Sequence, residues 1–502
     1  MSKSKTVLSL FLLVPALVVS APQNESSSQQ PSTQNREAQH AMPGMQHDMP
    51  MQMNQVQPPA SENPAQPTGR QTPAPELLKD VAGRPAMQLS QFEQFALATN
   101  PTLQQANAFV RQSATQARQI GLLPNPVIGY RGEEIRGGEF RGGEQGGFIQ
   151  QTFVLGGKLG LRRNIYEQQR REDEIGVTEQ RYRVLSDVGQ SFYSALAAPE
   201  VVNVRRRLLG IATDAVETAH QLANVGQADA PDVLQAEVEA EQAKVDYTTA
   251  QRKFLQEFGS LAALVGRSDI PVAPLQGDLE HPPQIDADQV VNQIAQDSPS
   301  VKRAEQSIAR AEAELKSAKR ESVPDLQVNA GAQQSFEPLS DFNQKPVGFE
   351  GFATIGITLP IFNRNQGNLA AARADIERSR AEVSRVQLSL RQNTQPLLQA
   401  YLSAQVEAGR YKNEMIPRAT RAYELYLAKY RQMGAAYPQV IVSQRTLFQL
   451  QVGYINVLQQ LWMSAIALQN YTLSDGLSAP AGSGTYSTTI NLPSSGSGSG
   501  AQ

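Results

Sequence analysis

The chain has 502 residues, enough for several ordinary domains, and its formal net charge at pH 7 is only −3. This near-neutral balance, without a long basic run, gives no reason to expect a nucleic-acid partner. The sequence contains no cysteine, which excludes disulfides, thiolate metal sites and cysteine nucleophiles, and we expect no lipid anchor on an N-terminal cysteine. Aromatic residues are only 6%, and this scarcity is typical of long polar helices.

The first residues have the pattern of an export signal. Lys3 and Lys5 precede an apolar run over 7–19, and the small residues Ser20 and Ala21 follow. The run is too short to span a bilayer as a helix. We therefore predict a cleavable signal peptide over 1–20, with a buried helix as the alternative.

Two low-complexity segments are predicted to be disordered: a Gln/Pro/Met/His-rich leader over 21–85 and a Gly/Ser-rich tail over 477–502. The leader concentrates soft ligands. The candidate metal ligands are His40, Met42, Met45, His47, Met49, Met51 and Met53. Thioethers and imidazoles suit transient binding of Cu(I) or Ag(I), and the alternative is a leader that binds nothing. No other cofactor is expected.

The region between these segments is predicted to be a two-fold internal repeat over 86–285 and 286–476. Helical stretches start at Asn100-Pro101 and at Ser298-Pro299, and each ends at a proline-containing break. In both halves two alternating segments and a long helical pattern follow. Each half therefore holds a helix, a strand pair and a long helical hairpin.

The alternating segments are predicted strands. Ile355 and Ile357 alternate with Thr354 and Thr358, which places apolar and polar side chains on opposite faces. This pattern suits a strand between lipid and water, and a soluble sandwich strand would produce it as well. The four strands are predicted at about 126–134, 147–155, 325–333 and 350–360.

Two helical hairpins are predicted at about 158–265 and 367–473, with heptad seams typical of a coiled coil. One seam places an apolar residue at every seventh position, at Leu369, Ile376, Val383, Leu390 and Leu397. Gly226 and Gly434 end the outgoing helices. Kinks are expected at Pro199, Pro396 and Pro417.

Four strands are too few to close a barrel, and an open sheet in lipid would expose unsatisfied edges. If the strands lie in a membrane, several chains must share one barrel. The predicted fold class is therefore an α+β membrane protein, in which long antiparallel helical hairpins form a tunnel and four strands join a shared transmembrane β-barrel.

Three motifs, at 121–126, 155–158 and 358–364, mark the ends of the strand pairs. With the order of elements, they make the chain resemble the TolC family of outer-membrane efflux proteins, and its heavy-metal branch in particular. The resemblance covers about Gln88 to Gly476. It implies a homotrimer, outer-membrane lipid around the barrel, a periplasmic adaptor (membrane fusion) protein, and an inner-membrane pump of the resistance-nodulation-division type.

The resemblance also implies site residues. The implied adaptor-docking tips are Val225, Gly226, Gln227, Met433, Gly434 and Ala435. Candidates for the periplasmic aperture are Asp229, Asp232 and Gln439. Many relatives carry Asp just after the second tip, whereas this chain has no acid over 437–442.

Other motifs carry no predicted chemistry. Gly156-Gly157-Lys158 is not a phosphate loop, because Leu159 follows the lysine where Ser or Thr is needed. His220 and His281 stand alone and are interpreted as surface or packing residues. We identify no catalytic residues and predict a passive duct in the outer membrane with a periplasmic tunnel. The alternatives are a periplasmic coiled-coil scaffold and a periplasmic metal-binding protein that uses the leader.

Overall fold

The computed structural model describes residues 81, 83–137, 140–340, 343–432 and 437–480. The helices are α1 (Leu89–Thr99), α2 (Pro101–Ile120), α3 (Lys158–Asn224), α4 (Ala230–Leu264), α5 (Ala287–Asp297), α6 (Pro299–Arg320), α7 (Gln366–Arg410), α8 (Ile416–Arg431) and α9 (Tyr437–Gln469). The strands are β1 (Met87–Gln88), β2 (Val127–Glu133), β3 (Arg136–Gly137), β4 (Phe140–Arg141), β5 (Glu144–Phe153), β6 (Leu275–Gln276), β7 (Leu326–Ser340) and β8 (Asn343–Ile357). The predicted signal peptide, nearly all of the predicted leader and most of the predicted tail lie outside the described residues.

Strands β2, β5, β7 and β8 form one antiparallel sheet in that order. Their register aligns an apolar row across the sheet, formed by Ile128, Ile149, Ala330 and Ala353. The adjacent row is more polar and contains Val127, Gln150, Asn329 and Thr354. Because neighbouring residues of a strand point to opposite faces, the sheet has one apolar and one polar face.

Strands β7 and β8 are longer than the alternation predicted. Their pairing continues to Ser340 and Asn343, past irregularities in register on either side of Pro338. Alternation is lost over these residues, so the sequence alone does not indicate a strand there. Pairing with the neighbouring strand extends both.

Helix α3 has 67 residues and is therefore about 100 Å long. It continues through Pro199, and α7 continues through Pro396. Ahead of Pro417, by contrast, the chain forms a π-helix over Tyr411–Met415. Proline has no N–H to donate to the preceding turn, so it interrupts the hydrogen bonds of a regular helix.

The hairpin of α3 and α4 packs along a seam of small and aromatic side chains. The buried seam residues of α4 include Ala236, Ala243, Tyr247, Ala250, Phe254 and Phe258. The Phe92 ring of α1 lies 5.9 Å from Phe192 and 6.2 Å from Phe258. Burial of each such side chain stabilises the fold by roughly 1.5–3 kcal/mol, so this aromatic cluster anchors α1 to the hairpin.

A second core joins α7 and α9. Tyr401 of α7 is buried among Leu390, Leu398, Leu461 and Leu468. Its hydroxyl donates to the Pro283 carbonyl at 3.0 Å, which satisfies the polar atom inside an apolar cluster. This core connects the second hairpin to the segment ahead of α5.

Helix α2 starts where α4 ends. The Thr99 hydroxyl donates to the Val265 carbonyl at 2.6 Å, and the Asn100 amide donates to the Leu264 carbonyl at 3.2 Å. These bonds place the end of one helix against the start of the other. Among the described residues, no helix combines the length and apolarity needed to cross a membrane.

Candidate functional site

The first hairpin tip turns on a glycine. Gly226 has φ 74°, a left-handed conformation that favours a residue without Cβ. Its N–H donates to the Ala223 carbonyl at 3.0 Å, and the Gln227 N–H donates to Leu222 at 2.8 Å. These bonds satisfy the last carbonyls of α3, so the turn is closed and Val225, Gly226 and Gln227 are exposed at its end.

The two candidate aperture acids of this hairpin lie at the start of α4. Asp229 is the N-cap residue and Asp232 lies in the first turn, where the helix dipole favours negative charge. Burial raises the pKa of Tyr430 in α8, and the Asp232 carboxylate raises that pKa further. Asp232 is therefore close enough to the second hairpin to act on it electrostatically.

The residues predicted for the second tip, Met433, Gly434 and Ala435, lie outside the described residues. Gln439 is exposed in the first turn of α9. It lines an apolar groove between α8 and α9, of about 430 Å³, together with Tyr426 and Val442. The groove follows the length of this end of the hairpin.

Two ion pairs connect the helices near these tips. Arg445 of α9 pairs with Glu239 of α4, and Arg205 of α3 pairs with Asp246 of α4 at 2.7 Å. The first pair joins the two hairpins, and the second fastens α3 to α4. Sequence reasoning missed both, because nothing local to a charged residue indicates a partner that is distant along the chain.

Tyr437 lies at the same junction. Its ring centroid is 5.4 Å from that of Tyr430. Burial, assisted by Tyr430 and Glu239, raises the pKa of Tyr437 to about 12. A neutral tyrosine therefore packs between the hairpins throughout the physiological pH range.

The glycine motif at 156–158 forms the junction between sheet and helix. Gly156 and Gly157 both have φ 70°, and Lys158 begins α3. The Lys158 ammonium is buried and pairs with Asp325, at the start of β7. Asp325 also accepts the Leu155 N–H at 3.1 Å, so the motif is held by a carboxylate from the other half of the chain.

Charged side chains also join α3 to α6. Arg310 pairs with Glu172 at 3.1 Å, and Arg303 lies 3.5 Å from Glu179. These residues line a groove of about 740 Å³. Because Glu172 and Glu179 are both paired with guanidinium groups of α6, these contacts connect α3 to α6.

The two isolated histidines are exposed and pair with carboxylates. His220 Nε2 lies 3.2 Å from Glu237, and His281 Nδ1 lies 2.7 Å from Asp278. Within the described part of the chain, no group of three or more histidine and carboxylate side chains is placed to hold a metal. The candidate ligands from His40 to Met53 lie outside that part.

A comparison with protein families assigns this architecture. The sequence model of the outer membrane efflux proteins matches residues 94–267 and 290–472. The chain belongs to the outer membrane efflux protein family. This confirms the resemblance drawn from the three motifs, and membership in a family of efflux channels agrees with the prediction that the chain is not an enzyme.

Two proteins with related sequences are a metal-resistance protein and an efflux-pump protein. The chain is 26% identical to the cobalt-zinc-cadmium resistance protein CzcC of Cupriavidus metallidurans, over 70% of this chain and 81% of that protein. It is 29% identical to the toluene efflux pump outer membrane protein TtgC of Pseudomonas putida, over 41% of each chain.

Solved structures have the same fold. CusC superposes with a TM-score of 0.64 at 16% identity, covering 77% of this chain and 92% of that one. The outer membrane protein VceC of Vibrio cholerae superposes with a TM-score of 0.62 at 17% identity, over 77% and 96%. The helical hairpins and the sheet are therefore the fold of outer-membrane efflux channels.

Proposed function

We propose that this chain is the subunit of a passive export duct in the outer membrane, which receives its substrate from an inner-membrane pump through a periplasmic adaptor. The observation that carries the proposal is the match of both halves to the efflux family, each half containing a long hairpin and two strands of one sheet. The same observation supports a two-fold internal repeat.

The sheet supports an oligomer. Strands β2 and β8 are at its edges, and each has a neighbour on one side only within the described sheet. Unpaired strand edges are not tolerated in lipid, so several copies must pair β8 of one with β2 of the next. We propose a homotrimer with a shared transmembrane barrel, whose apolar sheet face contacts lipid.

Heavy-metal ions are the proposed substrate class. The support is the likeness to CzcC, whose name states resistance to cobalt, zinc and cadmium. A passive duct discriminates little by itself, so the ion is selected by the pump. We propose an exported chain, because the sequence carries a signal-like segment.

The leader supports a second, separate role in buffering Cu(I) or Ag(I). Five of the ten methionines of the chain lie over 42–53. The test is a peptide over 39–55, titrated with Ag(I) beside a version in which all five Met are Leu. Equal affinity of the two peptides would show that the methionines bind no metal.

Membrane fractionation tests the duct itself. The expected result is a heat-modifiable oligomer in the outer membrane, together with loss of heavy-metal tolerance when the gene is deleted. A soluble periplasmic monomer would remove the proposal and favour a coiled-coil scaffold. If the wild-type chain forms the oligomer in the outer membrane but deletion of its gene leaves metal tolerance intact, only the proposed substrate class is removed.

A further inference from the structure

The four connections between the sheet and the helices lie at the same end of the four strands. The register pairs Val127 with Gln150, Phe153 with Leu326, and Leu326 with Ile357. The residues ahead of β2, after β5, ahead of β7 and after β8 therefore all lie at the helical end of the sheet. We call the segments 121–126, 154–157, 322–325 and 358–365 the junction.

The junction exposes large apolar side chains. They are Leu122, Leu123, Leu155, Leu359, Ile361 and Phe362. Phe362 is 92% exposed, the highest value among the exposed large hydrophobic residues. A group of exposed large apolar side chains at one end of a sheet is typical of a surface that contacts another apolar phase.

Cations lie immediately on the helical side of this group. Arg118 is in the last turn of α2, and Lys319 and Arg320 are in the last turn of α6. All three are exposed, and Arg364 is exposed within the junction itself. The structure therefore places cations next to the exposed apolar side chains of the junction.

The acids of this end are already paired with other cations. Asp325 pairs with Lys158, and Glu321 pairs with Arg162. In the part of the chain that the structure describes, no ion pair is formed by Arg118, Lys319 or Arg320. The junction therefore carries uncompensated positive charge beside its apolar side chains.

We propose that the junction is a binding surface for anionic phospholipid headgroups of the leaflet that faces the helices. This inference rests on the proposed function, because it needs the sheet to lie in the membrane. Apolar side chains at the acyl boundary and cations at headgroup depth are the arrangement that binds an anionic lipid surface.

A second copy of the chain is the competing occupant of the apolar side chains, since the junction reaches both edges of the sheet. The charge of the junction argues against a second copy of the chain as the occupant of both the apolar residues and the cations. A second copy carries the same exposed cations at its own junction, so it offers no anionic partner for Arg118, Lys319 or Arg320. Leu155 follows the inner strand β5, away from either edge, and it is exposed as well.

The test uses the full chain purified in a neutral detergent and titrated with phosphatidylglycerol or phosphatidylcholine of identical acyl chains. Bound lipid is counted by native mass spectrometry. Phosphatidylglycerol should bind more tightly than phosphatidylcholine. The triple variant Arg118→Gln, Lys319→Gln, Arg320→Gln should lose up to about a hundredfold of that affinity, since each of the three cations contributes about fivefold near a lipid surface at low salt.

A matched control changes three exposed cations far from the junction: Arg207→Gln, Arg252→Gln and Arg391→Gln. This variant should keep the preference for phosphatidylglycerol. Phe362→Ser should weaken the binding of phosphatidylglycerol and of phosphatidylcholine to the same extent, because it removes apolar contact and no charge.

Three results would overturn the proposal: a lipid preference that survives the junction triple variant, an equal loss in the control, or a Phe362→Ser variant that dissociates the oligomer while lipid binding is unchanged. Failure of the proposed function is distinguished by membrane fractionation before any lipid titration. In that case the chain is absent from the outer-membrane fraction.

Discussion

Lys158 Nζ lies 2.9 Å from Asp325 Oδ1, and the lysine side chain is only 4% exposed. This pair connects the start of α3 in the first half of the chain with the start of β7 in the second. A buried ammonium without its partner is strongly unfavourable, because the protein interior cannot replace its hydration. The pair therefore holds the sheet to the helices at the point where the glycine motif turns.

Asp325→Asn should lower the free energy of unfolding by roughly 3 kcal/mol, because it leaves the Lys158 charge buried and unpaired. Unfolding in guanidinium, followed by circular dichroism, measures the change. Asp269→Asn is the control, since Asp269 pairs with Arg267 at an exposed site and should have no measurable effect. Equal stability of the Asp325→Asn variant and the wild type would contradict a supporting role for the pair.

Glu239→Gln should widen the entrance, because it removes the ion pair with Arg445 that joins α4 to α9. A partly exposed pair contributes up to about 1 kcal/mol, so the open population should rise by up to about fivefold. Single-channel conductance in planar bilayers measures this. Arg421→Gln is the control, because its partner Glu424 lies on the same helix. A conductance equal to that of the control would show that the Glu239–Arg445 pair does not gate the duct.

Ile355→Arg should reduce the assembled oligomer in the outer membrane, whereas Thr354→Arg should spare it. The two residues are neighbours in β8, on opposite faces, and Ile355 is 73% exposed on the apolar one. A charge facing lipid near the bilayer midplane costs roughly 2–4 kcal/mol in each subunit. Heat-modifiable oligomer on gels is the measurement, and equal losses from both variants would show that the faces are assigned wrongly.

Gly226→Val should impair export more than assembly. The left-handed φ of 74° disfavours a branched side chain by roughly 1–2 kcal/mol, although no atom lies within 4 Å of the new Cβ. The strain is confined to the tip proposed to dock the adaptor. Gly210→Val is the control, since Gly210 lies inside α3 and also has open space around it. Metal tolerance that stays at the wild-type level, with the oligomer intact, would argue against docking at this tip.

Tyr437 should titrate far above an ordinary tyrosine. Burial is the largest cause of its raised pKa, which is about 12 against a reference of 10.0. Because the folded value is the higher one, the contribution of neutral Tyr437 to stability is fully present below pH 10 and is lost as pH rises through 12. The tyrosinate absorbance of the wild type minus that of Tyr437→Phe isolates this residue from Tyr193, whose pKa is also raised to about 12. A difference curve centred near 10 would contradict the burial.

Helix seams were predictable from the sequence because their periodicity is local. The four-three spacing of Ala236, Ala243 and Phe254 indicates a buried face, and the structure buries these side chains. The effect of a proline on the course of a helix was less predictable from the sequence. Pro199 leaves α3 continuous, with buried neighbours such as Ala198 and Val202 packing on both sides of it. Packing against other helices offsets a lost hydrogen bond, and a single helical sequence does not contain that packing.

The sequence by itself determined the periodic features: the helical hairpins, the two-faced strands, the turn at Gly226 and, through its motifs, the family. The tertiary structure decided which distant charges meet. Lys158 and Asp325 are 167 residues apart, and Glu239 and Arg445 are 206 apart. Periodicity reports which face of an element is apolar, whereas an ion pair depends on which elements become neighbours and how they are aligned along their length. That alignment is set by the packing of α3 against α4 and α9 and by the register of the sheet, so the Lys158–Asp325 and Glu239–Arg445 pairs emerge only once the chain is folded.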